Sequence, residues 1–327
     1  MIDKNIIIST RTILIVLTAV LVLWLMVQIS NILLAIFVAL ILTLGLNPLV
    51  DWLTEQKLSR TLAVTLTYIF FLGLVVGLFA LALPPMINQV QKLIEGLPYY
   101  VASISFPGLG KVSEQFLNTL VAEISKTTGN VVKVTLGLFS NAFSVVTILV
   151  LTFYFLLDYP NLKRRFIELY TKRSRERVVR LLNEIEEKIG GWLRGEAFLM
   201  LVIGLASFVG LTILRIDYAL SLAVIAGFLE IVPMIGPIVS FVPAAIVASA
   251  RSPLSVLLVA LLYILIQQLE SNFVVPKVMK KVIGFSPIVT LIAIMIGGKL
   301  FGVLGALLSL PTTLMGYLIV RSLLEVE

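Results

Sequence analysis

The sequence predicts an all-α polytopic membrane protein with about eight membrane segments, including two broken or re-entrant helical hairpins, plus amphipathic helices outside the bilayer. Hydrophobic residues make up 59% of the 327-residue chain and charged residues only 13%, whereas soluble domains carry about 25% charged residues. The mean hydropathy is +1.09. Apolar runs long enough to cross a bilayer recur from one end of the chain to the other.

The N-terminal region, residues 1–83, contains three apolar runs, at 12–29, 31–49 and 61–83. The turn between the first two runs carries no charge, and we expect them to form a helical hairpin. The next segment, 84–133, repeats apolar residues at helical spacing and predicts amphipathic helices outside the bilayer. Their apolar positions are Met86, Val90, Leu93, Ile94, Leu97, Val112, Phe116, Leu120 and Ile124.

A further transmembrane helix is predicted over 134–157, and it is followed by a basic loop at 158–195 that holds ten Lys and Arg residues. One helical stripe of apolar side chains runs through this loop, which predicts a cytoplasmic helix packed on its own bundle or on a neighbour. Attraction to anionic lipids is a second explanation of the basic cluster. Its apolar positions are Val178, Leu181, Leu182, Ile185, Ile189 and Trp192.

The C-terminal region, 196–327, contains apolar runs at 196–214, 219–232, 238–250, 253–270 and 288–319. Glycine and proline interrupt the 219–250 and 288–319 regions, so each is predicted to be a hairpin of two helical segments. Glu196 stands at the start of the first run, where a helix N-terminus would favour its negative charge. Arg215 and Asp217 then bound a short external turn.

The distribution of Lys and Arg sets the predicted orientation. The basic loops fall on one side if 12–49 is a hairpin and if both broken hairpins return to the side that they left. That arrangement places both termini in the cytoplasm and the protein in the cytoplasmic membrane of a prokaryote. The net charge of +7 is explained by this topology, and nucleic acid is not expected as a partner.

Composition and motifs argue against an enzyme. The chain has no Cys and no His, which removes thiol chemistry, the commonest metal ligand and the usual proton carrier at neutral pH. The segment GLGKVS at 108–113 lacks the spacing of a phosphate-binding loop and follows no strand. We expect no cofactor, no metal site and no catalytic residues.

The first candidate site is the segment FLEIVPMIGPIVSFVP, 228–243, in which Glu230 precedes Pro233, Gly236 and Pro237. Proline removes a backbone donor and breaks a helix, and the freed backbone groups must then be buried in protein or line a wet cavity. The pattern therefore predicts a polar pocket at membrane depth beside a carboxylate, as in transporters with discontinuous helices. The alternative is a structural hairpin in which Glu230 caps backbone N–H groups.

Two more polar clusters lie further along the chain. Gln267, Glu270 and Ser271 share one helix face, with Asn272 adjacent and Pro276 expected to end the helix; this cluster is either a polar helix end or a gate or ion site. The second lies in GGKLFGVLGALLSLP, 297–311, where Gly297 and Gly298 are expected to form a hairpin tip. Its other candidate residues are Lys299, Gly302, Gly305 and Pro311.

At these clusters the sequence resembles the AI-2 exporter (autoinducer-2 exporter) family of bacterial and archaeal permeases. The residues that carry the resemblance are EIVPMIGPIVSFVPA (230–244), QQLESNFVVPKVM (267–279) and GGKLFGVLGALLSLP (297–311). The resemblance covers nearly the full length and implies an oligomeric multi-pass transporter, associated in some members with autoinducer-2 export and in others with Na⁺(Li⁺)/H⁺ antiport. Two positions depart from the family pattern: Lys280 stands where Gly is common, and Ser286 where many members have His.

Three functions remain open from the sequence. The first is export of a small polar solute through a pocket between the 230–243 break and the 297–311 hairpin, with Glu230, Glu270 and Asn272 in polar contact with it. The second is exchange of a monovalent cation for a proton, with Glu230 as the carrier because desolvation favours its neutral form. The third is a membrane scaffold. The expected partners are a small polar solute or a monovalent cation and proton, membrane lipids and further copies of the chain.

Overall fold

The computed structural model describes residues 10–103, 142–233, 235–249, 251–279 and 285–324. Every secondary-structure element in these ranges is helical, and six helices are long and apolar enough to cross a membrane. This confirms the predicted all-α polytopic membrane fold. The helices are α1 (Thr10–Gln28), α2 (Ser30–Glu55), α3 (Arg60–Ser103), α4 (Ala142–Glu168), α5 (Lys172–Ile213), α6 (Ala219–Leu229), α7 (Ile235–Ser249), α8 (Pro253–Leu269), a π-helix (Glu270–Val274), α9 (Val275–Met279) and α10 (Pro287–Leu324).

The bundle has two ends. At the basic end, the Arg60 guanidinium binds Asp51 and donates hydrogen bonds to the carbonyls of Leu156 and Leu157, which joins α2, α3 and α4. Lys163 pairs with Glu186 at the same end. At the opposite, distal end, the Arg251 guanidinium donates hydrogen bonds to the carbonyls of Leu214 and Arg215.

The 219–250 region forms the predicted hairpin, referred to below as the distal hairpin. Its helices α6 and α7 contain 11 and 15 residues, about 16 and 22 Å at 1.5 Å per residue, so each is shorter than a bilayer core of about 30 Å. Pro237 lies in the first turn of α7, where the missing N–H leaves no helical bond unmade. Both ends of this hairpin lie at the distal end, and its tip includes the turn at 230–233.

The 288–319 region forms a second hairpin within α10, referred to below as the basic-end hairpin. The chain reverses at Phe301 and Gly302, and the φ of 62° at Gly302 is one that glycine adopts readily. The prediction that Gly297 and Gly298 form the tip is therefore wrong. Gly297 instead crosses Gly305, because a Cβ on either residue would overlap the other's carbonyl oxygen, and only two glycines allow so close an approach.

The predicted N-terminal hairpin over 12–49 is not formed. Only Ile29 separates α1 from α2, and its φ and ψ of −96° and 10° do not reverse the chain. The amides of Ile32 and Leu33 donate to the Ile29 carbonyl, so the helical hydrogen bonding continues across the junction. Without a Gly or Pro at this position, the uncharged turn has nothing to stop the helix.

The predicted external segment at 84–133 lies largely outside the described residues. Its first part, up to Ser103, continues α3 without a break. The remainder, together with the start of the span predicted at 134–157, falls within 104–141, outside the described residues, and the fourth helix is described from Ala142.

Helix α5 is continuous over 42 residues, from Lys172 to Ile213. The expectation that Glu196 starts a helix is therefore wrong, because the basic helix and the following span are a single helix and Glu196 lies in its interior. Close packing explains why the glycines near this point do not end the helix. A Cβ on Gly190 would lie 2.5 Å from the Leu44 carbonyl oxygen of α2.

The two hairpins pack on α5 and make no extensive contact with each other within the described ranges. The largest buried apolar cluster joins α2, α5, α9 and the second limb of α10, and it includes the fully buried Trp192. The described residues show no extensive contact between the 230–243 break and the 297–311 hairpin, so the pocket between them stays a prediction. The partners of Glu230 come from α5 and from the π-helix.

Candidate functional site

Three carboxyl side chains converge near the middle of the C-terminal region. Glu196 lies on α5, Glu230 at the tip of the distal hairpin, and Glu270 at the start of the π-helix. The Glu230 carboxyl lies within hydrogen-bonding reach of the Glu270 carboxyl, and Glu196 interacts electrostatically with both. Glu196 and Glu230 are each 1% exposed and Glu270 is 5% exposed. These three residues are called the carboxylate cluster below.

Glycine brings α5 and α6 close enough to place two of the acids side by side. Gly227 on α6 packs against Gly204 and the Met200 carbonyl on α5. The two helices run in opposite directions. A residue three positions after Gly227 on α6 therefore lies at the height of a residue about one turn before Met200 on α5. Glu230 therefore arrives at the level of Glu196.

The third acid is positioned by an irregularity in the last long span. The α-helix from Pro253 widens into a π-helix at Glu270–Val274, directly before Pro276. A π-helix adds one residue to a turn, and such bulges are frequent at functional sites. It also accommodates Pro276, which has no N–H to donate, and the helix continues to Met279. The expectation that Pro276 ends the helix is therefore wrong.

A direct hydrogen bond between two acids of the carboxylate cluster requires a proton on one of them. Gln267 Nε2 donates to Glu270 Oε2 at 3.2 Å. Within the described residues, neither oxygen of Glu230 receives a conventional donor, and one oxygen of Glu196 also receives none. Since an ionised carboxylate can only accept, a hydrogen bond between Glu230 and Glu270 forms only when one of them is protonated. No Lys or Arg forms an ion pair with any of the three in the part of the chain that the structure describes.

Glu230 caps no backbone group among the described residues of the hairpin. The structural alternative requires a backbone N–H donating to its side chain, and the described residues supply none. The turn is closed by its own backbone, since the amides of Glu230 and Gly236 donate to the carbonyls of Ala226 and Val232. The acid is therefore not needed to make the turn.

The other predicted residues fall into two groups. Pro233, Gly236 and Pro237 form the tip of the distal hairpin beside Glu230, and a Cβ on Gly236 would overlap the Leu229 carbonyl. Asn272 and Lys299 are exposed, and Asn272 donates to Gln268 rather than to the carboxylate cluster. Gly302, Gly305 and Pro311 belong to the basic-end hairpin, and no contact given for the described residues joins them to the carboxylate cluster.

Sequence reasoning missed a polar cavity of about 400 Å³ at the basic end, between α2, α4 and α5. Its polar residues are separated in sequence by more than a hundred positions, so no local pattern reveals it. Acidic and amide side chains line it together with Trp52, Tyr159 and Arg194. The lining acids and amides are Asn47, Asp51, Glu55, Asn183, Glu186 and Glu187.

Comparison with known proteins shows the family. The sequence model of the protein family described as AI-2E family transporter matches residues 12–325 of this chain. The chain belongs to the AI-2E transporter family. The predicted membership is therefore confirmed, and the AI-2E protein described here is a multi-pass membrane transporter.

Relatives of this AI-2E transporter share its length. YrrI of Bacillus subtilis, named as a candidate transport protein, is 24% identical over 295 residues, which cover 85% of this chain and 84% of the relative. YueF of the same bacterium, named likewise, is 26% identical and covers 86% and 82%. A protein of Halobacillus andaensis named sodium-lithium/proton antiporter is 26% identical and covers 84% of both chains.

The glycine crossing that positions the carboxylate cluster gives a matched pair of variants. In Gly227→Ala the new Cβ would lie 2.6 Å from the Met200 carbonyl oxygen, whereas in Gly204→Ala the nearest atom is 3.4 Å away. We expect Gly227→Ala to force α5 and α6 apart and to lower the free energy of unfolding by about 1–3 kcal/mol. Thermal unfolding in detergent measures the change. Equal effects of the two variants would contradict the close crossing.

Proposed function

We propose that the carboxylate cluster is the proton-carrying site of this AI-2E transporter, and that the proton is exchanged for Na⁺ or Li⁺. The observation that carries the proposal is the convergence of Glu196, Glu230 and Glu270 from three helices without a basic partner among the described residues. Ionisable groups in membrane segments are unfavourable and persist mainly where they act in transport. The antiporter name of the Halobacillus andaensis relative is consistent with this cargo.

The exchange follows from the chemistry of the carboxylate cluster. With protons bound, the acids are neutral and tolerate burial; with protons released, the negative charge favours a monovalent cation. The three side chains do not adopt the arrangement of a metal-ion site in this conformation, as judged over the described part of the chain. In this proposal, cation binding requires the carboxylates to rearrange.

Export of a small polar solute is the second candidate function, and the cavity at the basic end favours it. About 400 Å³ lined by carboxylates, amides and two aromatic side chains fits a small hydroxylated molecule, because such sites combine apolar faces with a few polar groups. Proton movement through the carboxylate cluster would then drive the solute outward.

We propose that the basic end faces the cytoplasm. Seven Lys and Arg residues between positions 163 and 177 place it there by the positive-inside rule. The second limb of α10 also ends there, since Arg321 pairs with Glu184 on α5. Because α1 continues α2, the hairpin argument no longer places the N-terminus on this side. Assembly into homo-oligomers remains a prediction.

Reconstitution separates the candidate functions. Proteoliposomes loaded with a pH-sensitive dye receive a pulse of Na⁺, Li⁺ or K⁺, and efflux of labelled autoinducer-2 is followed in parallel. Proton movement after Na⁺ or Li⁺, absent from the triple variant Glu196→Gln/Glu230→Gln/Glu270→Gln, is the expected result. Signal efflux without cation-dependent proton movement would favour the exporter. If neither activity is detected, the membrane scaffold is the remaining function.

A further inference from the structure

An apolar layer separates the carboxylate cluster from the distal end of the bundle. Each helix that supplies an acid, or leads to it, also supplies a buried apolar side chain nearer to that end: Ile203 on α5, Ala226 on α6 and Ile266 on α8. Ile203 follows Glu196 by seven residues, and Ala226 and Ile266 each precede their acid by four, so all lie on the helix faces of the acids. Ala206 and Leu262 pack against this layer.

Two buried hydroxyl groups lie on the distal side of the apolar layer. Ser207 follows Ile203 by four residues, and Tyr263 precedes Ile266 by three, so each is one turn further along the same helix face. Ser207 is 1% exposed and Tyr263 is 7% exposed. Neither Ser207 Oγ nor Tyr263 Oη has a hydrogen-bond partner in the described ranges.

The two hydroxyls lie at a similar height in the bundle. Helices α5 and α8 are in close contact near both residues, three positions from Ser207 and one position from Tyr263, since a Cβ on Gly210 would overlap the side chain of Leu262. Tyr263 and Leu211 belong to the same buried cluster. Unpartnered buried polar groups are rare in folded proteins, and each one calls for a specific explanation.

We propose that Ser207 and Tyr263 form a polar station on the proton path, and that the apolar layer of Ile203, Ala226 and Ile266 is a dry gate between this station and the carboxylate cluster. The inference rests on the proposed proton-carrying role of the carboxylate cluster. Hydroxyl groups both donate and accept hydrogen bonds, so a proton arriving as hydronium is passed on through them and leaves each hydroxyl unchanged. Apolar constrictions close such paths by excluding water.

Apolar side chains also close the carboxylate cluster on its other side, towards the basic end. One turn from Glu196 towards the basic end, Trp192 is 1% exposed within the largest apolar cluster. The carboxylate cluster is thus enclosed by apolar side chains on both sides along α5. This is the arrangement that an alternating transporter needs between its two open states, because a path open at both ends would dissipate the proton gradient.

Proton leak through reconstituted protein tests the gate without any cargo. Liposomes containing a pH dye are given a K⁺ diffusion potential with valinomycin, in the absence of Na⁺ and Li⁺. Wild-type protein is expected to leak slowly, and Ile203→Ser/Ile266→Ser to leak roughly tenfold faster because the layer becomes hydrated. Adding Tyr263→Phe or Ser207→Ala to the gate variant is expected to return the leak towards the wild-type rate.

A matched control changes the same residue types on the outer faces of the same helices. Leu205 and Ile264 are 59% and 58% exposed, so Leu205→Ser/Ile264→Ser alters apolarity without reaching the layer. Each variant is first shown to be monodisperse, and Ile266→Thr gives a milder change in the same direction if the double variant does not fold.

The inference is overturned if the gate variant leaks no faster than the control, or if its leak is unchanged by Tyr263→Phe and Ser207→Ala. The leak is independent of cation exchange, so the two proposals fail separately. Suppose that the gate variant does not leak and that Glu230→Gln abolishes cation-driven proton movement. Only the gate proposal is then overturned. Suppose instead that the gate variant leaks and that Glu230→Gln leaves cation-driven exchange intact. Only the proposal for the carboxylate cluster is then overturned.

Discussion

Glu230→Gln is expected to reduce Na⁺- or Li⁺-driven proton movement in proteoliposomes to the level of protein-free liposomes. Glutamine keeps the size and polarity of the protonated acid but neither binds nor releases a proton in the working range. Because Glu230 is buried beside Glu270 and caps no backbone group, the substitution removes the charge change without removing a bond that the hairpin needs. The protein is expected to stay folded, with an unchanged elution volume on size exclusion.

Two further variants define what is lost. Glu230→Asp retains a titratable acid but withdraws it from Glu270, and it is expected to keep part of the exchange. Glu168→Gln removes an exposed acid at the end of α4 and is expected to behave as wild type. Exchange at the wild-type rate in Glu230→Gln would sink the assignment of Glu230 as a carrier.

Gly305→Val is expected to prevent correct folding of the basic-end hairpin. The added Cβ would overlap the carbonyl oxygen and carbon of Gly297, and a backbone group cannot move aside as a flexible side chain can. Overpacking typically costs about 1–3 kcal/mol, and separating the two limbs would also loosen Leu308, Leu314 and Leu318 from the largest apolar cluster. The expected result is a large loss of monodisperse protein on size exclusion.

The matched control for this variant lies in the same helix. A Cβ on Gly316 would meet no atom within 4 Å, so Gly316→Val is expected to leave the yield and the melting temperature close to wild type. Valine also has a somewhat better helix propensity than glycine, so the intrinsic helical preference favours both substitutions equally. Similar behaviour of the two variants would show that the Gly297–Gly305 crossing does not hold the hairpin together.

The membrane class and most helices follow from local sequence, because a segment that must leave water needs only its own apolar residues to do so. The two hairpins were also predictable, since Pro233, Gly236 and Pro237 interrupt one apolar run and Gly302 lies in the other. The predicted helix boundaries were wrong where no residue in the sequence interrupts the helix. Ile29 does not stop the α1–α2 helix, and Glu196 stands inside α5 rather than at its start.

The candidate site was only half visible in the sequence. Glu230 and Glu270 stood out as acids beside proline in apolar runs, and Gln267 was correctly placed on the Glu270 face, to which it donates a hydrogen bond. Glu196 was assigned to a helix end, whereas the structure places it inside the uninterrupted helix α5. Lys299 and the 297–311 glycines were grouped with the site, although the two hairpins make no extensive contact with each other within the described ranges.

By itself, the sequence determined that this chain is a helical membrane protein with two broken hairpins and with acids in apolar surroundings, since these properties depend on each segment's own composition. Only the tertiary structure decided which acids meet. Glu196, Glu230 and Glu270 lie 34 and 40 positions apart in the sequence, and their convergence depends on the Gly204–Gly227 crossing and on the π-helix before Pro276. Proximity between distant residues is a property of helix packing, which no local pattern encodes.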